Sequence, residues 1–229
     1  VYSAAMFYFF EIKATINAST GAVIVKINGS EWLNISGADT YGSGTAGIGK
    51  IGIFNGPYTN YSDSFYDDLY VCDTTGNAPW NDFLGPVKVE ALLPDADGNH
   101  TDWAASAGDR YAAIDENGDS GQDGDSTYVY SSTATDRIST TFGNLTGTPT
   151  VYGVMHRWIA RYDGYTAAEI EPFLRISSTD YNWGSTFSLS GAYRWFRQLY
   201  ETNPADSQQW EYGDVNGLEA GIDLDSITT

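Results

Sequence analysis

Residues 65–85 read FYDDLYVCDTTGNAPWNDFLG, and the reading of this stretch decides the fold. Phe65, Asp67, Leu69 and Val71 alternate with Tyr66, Asp68, Tyr70 and Cys72, a period-two pattern that predicts a strand. Residues 73–81 then gather Asp, Thr, Gly, Asn and Pro, which is turn and linker chemistry. A second apolar run, Phe83 to Leu93, follows at once. The stretch therefore closes one set of strands and launches another. It predicts a first domain over 1–75, a linker over 76–85 and a second domain over 86–229.

Upstream, Tyr8 to Ile16 and Ala22 to Ile27 alternate as strands, and Asn28-Gly29 marks a two-residue hairpin turn, since both central positions of a type I′ turn require positive φ. Glu31 to Ile35 is the returning strand, so this part reads as an antiparallel meander. Gly37 to Gly49 holds five glycines and reads as a surface loop before a strand at Lys50 to Phe54. Downstream, strands are predicted at Val87–Leu93, Ser126–Ser131, Ile138–Phe142, Thr150–Ile159, Ile170–Ile176 and Gly191–Leu199. Pro172 predicts an edge strand or a bulge. Tyr212 to Leu218 reads as a helical turn with Gly221 at its end.

Composition agrees with an all-β class. A hydrophobic content of 41%, with 17 Tyr, 10 Phe and 7 Trp, is ample for a core, and 25 Gly favour strands joined by tight turns. Acids outnumber bases 30 to 11, a formal charge of −19. Such a surface repels a phosphate backbone, which argues against nucleic acid as a partner. The acidity reads either as solubility and repulsion between free copies, or as preparation for calcium or a basic partner. No apolar run approaches the roughly 18 residues that span a bilayer, so no membrane partner is expected. Cys72 has no second cysteine to pair with and reads as a small buried hydrophobe. The chain opens on Val1 as though in mid-domain, which predicts an upstream portion.

Glu11 to Ile16 (EIKATI), Ser19 to Gly21 (STG), the hairpin Val23 to Gly29, the Gly-rich loop and Tyr66 to Val71 (YDDLYV) follow one another in order. Together they resemble the C-terminal half of a concanavalin A-like, laminin-G-type jelly roll, over about Phe7 to Thr74. The N-terminal half of that sandwich is missing from the pattern. Asn81 to Gly85 (NDFLG), Val87 to Gly98, Trp103, Gly108, Asp123 to Val129 (DGDSTYV) and Asn203 to Ile222 are similar to virion structural proteins of tailed phages, in which a lectin-like sandwich is fused to a second β-rich domain. The resemblance implies an all-β chain with an antiparallel jelly-roll or β-sandwich half followed by a second β-sandwich-like domain. It further implies a non-enzymatic role on the virion surface after assembly in the host cytoplasm, as capsid decoration or tail subunit, with other virion proteins and copies of itself as partners. A carbohydrate-binding, lectin-like adhesion module for a surface glycan is the alternative.

Candidate chemistry is sparse. The acid-rich loop Asp115 to Asp125 (DENGDSGQDGD) offers Asp115, Asn117, Asp119, Asp123 and Asp125 as oxygen ligands for calcium, without EF-hand spacing; a solvated acidic loop is the bland reading. Asp67 and Asp68 are adjacent on a predicted strand and point to opposite faces, which is wrong for a glycosidase pair sharing one sugar. They read as acceptors for backbone donors of neighbouring loops. His100 and His156 are isolated, no nucleophile elbow is present, and no catalytic residue is assigned. Trp32, Trp80, Trp103, Tyr181 and Trp183 fall in or near loops and are candidates for sugar stacking or, in preference, for contact between subunits.

Overall fold

The structure is a computed structural model that describes residues 6–42, 47–48, 50–52, 65–73, 76–116 and 121–229. It is an all-β protein with antiparallel sheets, and it divides into two compact units, Val1–Val89 and Glu90–Thr229. That division falls after residues 76–85, which are hydrogen-bonded within the first unit instead of forming a free linker: the Gly85 N–H donates to Glu11 Oε1 (2.9 Å) and the Asn81 side chain to the Gly76 carbonyl (3.0 Å).

The first unit holds a three-stranded sheet in the order β1 (Phe10–Thr15), β2 (Gly21–Ile27), β3 (Ser30–Ala38). The β2–β3 hairpin turns at Asn28 (φ 50°) and Gly29 (φ 78°), both left-handed as the turn requires. The β1–β2 turn is set by the Asn17 side chain, which accepts the N–H groups of Ser19 and Thr20, both at 2.9 Å. Residues 65–73 do not form the predicted strand. Asp68 takes φ 54°, which breaks an extended run, and Asp67 Oδ1 turns back to accept the Asp68 N–H at 2.9 Å. What the stretch supplies instead is Tyr70, whose hydroxyl donates to the buried Glu11 at 2.6 Å. Burial and that hydrogen bond push the Tyr70 pKa up. Residues 50–52 are not in a strand, and the rest of the strand expected there lies outside the described residues.

The second unit opens with β4 (Pro94–Thr101), β5 (Ala104–Ala105), a 3-10 turn at Tyr111–Ala113 and β6 (Val129–Tyr130). There follow β7 (Arg137–Phe142), β8 (Val154–Ala160), β9 (Ala167–Ile176), β10 (Thr179–Asn182), β11 (Phe187–Ser188) and β12 (Arg194–Tyr200). A short helix α1 (Tyr212–Asn216) and a ten-residue strand β13 (Glu219–Thr228) complete it. The main sheet has the order β10-β9-β13-β7-β4, with β11 also on β9; β8 and β12 form a ribbon, and β5 and β6 a second small one. The strand expected at Val87–Leu93 is absent and pairing starts at Pro94; the strand expected at Ser126–Ser131 shrinks to β6.

Alternation gives the main sheet two contrasting faces. One is apolar: Ala168, Ile170, Leu174 and Ile176 of β9 lie beside Ala220 and Leu224 of β13, with Ile138 of β7 buried at the same level. The inward side of the β8–β12 ribbon covers it, with Val154 and Tyr200 packed in one cluster and Trp158 and Ala160 in another, so this unit has β-sandwich character. Pro172 sits inside this buried array, not at an edge or a bulge. Its carbonyl accepts the Trp183 N–H at 3.0 Å, and on that side the ladder is interrupted between β10, which ends opposite Phe173, and β11, which begins opposite Ile170. A residue's N–H and C=O point the same way in a strand, so the missing proline donor faces that gap and costs no ladder bond. Gly217 follows α1, while Gly221, expected to end the helix, lies in β13.

Candidate functional site

The opposite face of the main sheet is polar, and cross-strand register builds it. Arg175 and Asp180 are paired across β9 and β10, Arg175 and Glu219 across β9 and β13, and Asp223 and Arg137 across β13 and β7. Asp180 is the hub. Its Oδ2 meets His100 Nε2 at 2.8 Å and Arg137 Nη1 at 2.9 Å, and its Oδ1 accepts from Arg175 Nη1 at 2.6 Å. Arg137 spends its remaining donors on Asp223 (2.7 Å) and Asn182 (3.0 Å). Asn182 in turn donates to Glu171 at 2.7 Å.

Burial works against the Asp180 carboxylate, but the hydrogen bonds and charges of Arg175 and His100 outweigh it and hold its pKa below the ordinary aspartate value. Phe173, fully buried, floors this network: the His100 ring meets it edge-on at 5.3 Å and the Arg137 guanidinium lies 4.9 Å from its centroid. The residue triplet His100, Asp180 and Ser139 invites comparison with a hydrolase, but Ser139 Oγ donates to Glu219 at 2.7 Å and accepts the His100 backbone N–H at 3.1 Å. The serine is buried and is not aimed at the imidazole ring nitrogen. Each acceptor is already matched by a donor, which is the chemistry of a brace between strands.

The candidate site residues named from the sequence are dispersed. Trp32 stands exposed on β3, and Trp80 is half-buried in the turn after Pro79. Trp103 packs against the core and donates its indole N–H to the Asp136 carbonyl at 3.0 Å, and Tyr181 packs against the Leu174 cluster. Trp183 is exposed, edge-on to Tyr200 at 5.4 Å. Of the candidate calcium ligands in the loop, Asn117 and Asp119 lie outside the described residues. Asp125 is engaged by Tyr193 (2.7 Å) and Arg161 (3.1 Å), Asp123 accepts from Thr127 at 2.7 Å, and Asp115 is exposed. Among the described residues no three His, Cys, Asp or Glu side chains converge as a metal group.

Asp68 accepts the Val89 N–H at 2.7 Å, a backbone donor from a neighbouring segment. Cys72 is exposed, not buried as expected, because the segment carrying it is not a strand of a packed sheet. It lines a shallow pocket of about 60 Å³ with Lys13, Tyr70, Asp73, Asn81, Asp82 and Phe83, too small for more than a few waters. His156 has a buried Nδ1 without a hydrogen-bond partner among the described residues, and burial pushes its pKa down to about 4. Among the described residues no helix is long and apolar enough to cross a membrane.

The sequence reading missed Arg157 and Arg197, which the β8–β12 ribbon sets opposite one another; their alternation with Trp158 and Phe196, next to them in sequence, was the available signal. Compared with known proteins, the chain matches no family model, no curated protein and no solved structure.

Proposed function

We propose that this chain is a non-enzymatic structural subunit of a tailed-phage particle, either capsid decoration or part of the tail, that works by packing against copies of itself and other virion proteins. The observation that carries the reading is the distribution of apolar surface. Every buried hydrophobic side chain among the described residues lies between Ala113 and Leu224, while Phe10, Ile12, Trp32 and Ile35 of the three-stranded sheet are exposed. A sheet presenting that much apolar surface is suited to burial against another protein layer. In finer detail, we read the first unit as one half of a concanavalin A-like jelly roll whose covering layer comes from outside the described residues. The high negative charge favours the solubility of unassembled copies.

The reading is tested by imaging particles assembled with and without this chain. Density for it on the virion surface, with neighbours packed around residues 1–10 and 200–229, is the expected result; a chain that remains a free monomer while complete particles form would refute it. A lectin-like adhesion role is the second reading, supported by the exposed Trp32 indole next to the Asn34–Glu31 hydrogen bond (3.2 Å), an aromatic face beside polar groups suited to sugar hydroxyls. Binding on a glycan array with added calcium, lost in Trp32→Ala, would favour it.

A further inference from the structure

The β8–β12 ribbon has two chemically distinct faces. Inward, Trp158 stacks on Phe196 (5.9 Å between centroids) and meets Phe187 edge-on (5.4 Å). Outward, strand pairing sets three rungs: Met155 opposite Leu199, Arg157 opposite Arg197, and Ile159 opposite Trp195. Met155, Leu199 and Trp195 are 53%, 47% and 54% exposed, although each is large and apolar. The Arg157 guanidinium lies 4.1 Å from the centroid of the Trp195 ring. The side chains of Arg157 and Arg197 are exposed and make no ion pair or hydrogen bond among the described residues, whereas Arg110, Arg137, Arg161 and Arg175 all hold carboxylates.

This arrangement is costly for an isolated chain. Two arginines directly opposite one another on one sheet face repel. The exposed Trp and Met on the flanking rungs are residue types that protein interfaces favour, Arg with them, and Leu199 adds apolar area beside Met155. In a chain with only 11 bases against 30 acids, two arginines without a carboxylate on one ribbon face form a local positive site on a negative molecule. A surface of opposite sign is available on every other copy of the same chain.

We infer that the outer face of the β8–β12 ribbon docks onto the acidic surface of a second copy of this chain, in a head-to-tail contact. A two-fold contact would bring the Arg157–Arg197 pair against its own symmetry mate, so ribbon meets acidic face, not ribbon. The apolar rungs supply buried area and the arginines supply orientation and encounter rate. The inference rests on the subunit reading above and names the surface through which copies pack.

Sedimentation velocity of the full chain over a wide concentration range, at about 50 mM and about 500 mM NaCl, tests it. Wild type is expected to self-associate and to do so more weakly at high salt. Arg157→Glu combined with Arg197→Glu is expected to weaken association at least about tenfold, and the Gln double variant by less. Both substitutions are on exposed side chains, and near-UV circular dichroism checks that the fold is kept. The Glu variant retains its acidic surface, so mixing it with wild type is expected to cap growing chains. Variants that associate like wild type would overturn the inference and leave the subunit reading standing. A wild type that stays monomeric at every concentration would overturn it also, including one that is retained on dextran sulfate, which would assign the face to an acidic polymer. Absence from particles as well would remove both readings.

Discussion

Gly221 lies near the start of β13, paired on both sides, with the Phe173 ring against it: a Cβ built there would lie 2.3 Å from Phe173 Cζ and 2.3 Å from the Ile138 carbonyl. The neighbours are a fully buried ring and backbone, neither free to move aside. Gly221→Ala is therefore expected to cost about 1–3 kcal/mol by overpacking, read as a lower urea midpoint with unchanged slope. An unchanged midpoint would mean the ring can leave its place. His156 supplies a second residue-scale test. Its folded-state pKa near 4 lies below the ordinary value of 6.5, so the unfolded chain takes up a proton that the native state refuses. Stability from this source is intact above about pH 6.5 and falls as the pH drops toward 4, by at most about 3 kcal/mol. The residue keeps some exposure, which brings the loss below that ceiling. Urea midpoints of wild type and His156→Gln are expected to converge on acidification by this amount; parallel curves would show that the imidazole titrates normally.

Between elements, Asp180 is what ties β10 to β4, β7 and β9, through His100, Arg137 and Arg175. Asp180→Asn leaves two largely buried guanidinium groups short of a counter-charge and is expected to destabilise the chain by about 2–3 kcal/mol in urea. A loss below about 0.5 kcal/mol would reduce the network to ordinary surface pairing. None of these contacts was legible in the sequence, because His100 and Asp180 meet only once the register of intervening strands is known. The hairpin at Asn28-Gly29 and the buried alternation of Ile170, Leu174 and Ile176 were legible, since turn chemistry and one-sided burial act locally. Strand β13 was missed: Glu219, Gly221, Asp223 and Asp225 masked the inward Ala220, Ile222 and Leu224. The stretch at 65–72 misled in the opposite sense. Its alternation is real, but no strand among the described residues pairs with it, and Tyr70 serves as a hydrogen-bond partner for β1 instead. Arg157 and Arg197 alternate visibly with Trp158 and Phe196, yet that these arginines meet across the ribbon without carboxylate partners is a fact of the fold alone.

At the scale of the whole molecule, the two units differ in how they hold themselves together. With the buried apolar side chains among the described residues confined to the second, amides of β1, β2 and β3 are expected to exchange hydrogen orders of magnitude faster than those of β9 and β13 in native-state exchange of the free chain. Equal protection would show that the three-stranded sheet has cover of its own. The order β10-β9-β13-β7-β4 also bears on biogenesis. β13, the last strand among the described residues, is inserted between β7 and β9, so the central ladder closes only after residues 219–228 have left the ribosome. Until then the nascent chain carries two unpaired edges that differ from the finished sheet only in lacking the strand between them. Any extended segment of a neighbouring nascent copy can fill that slot, and this makes the timing of synthesis, as much as the final packing, a determinant of how much soluble protein is obtained.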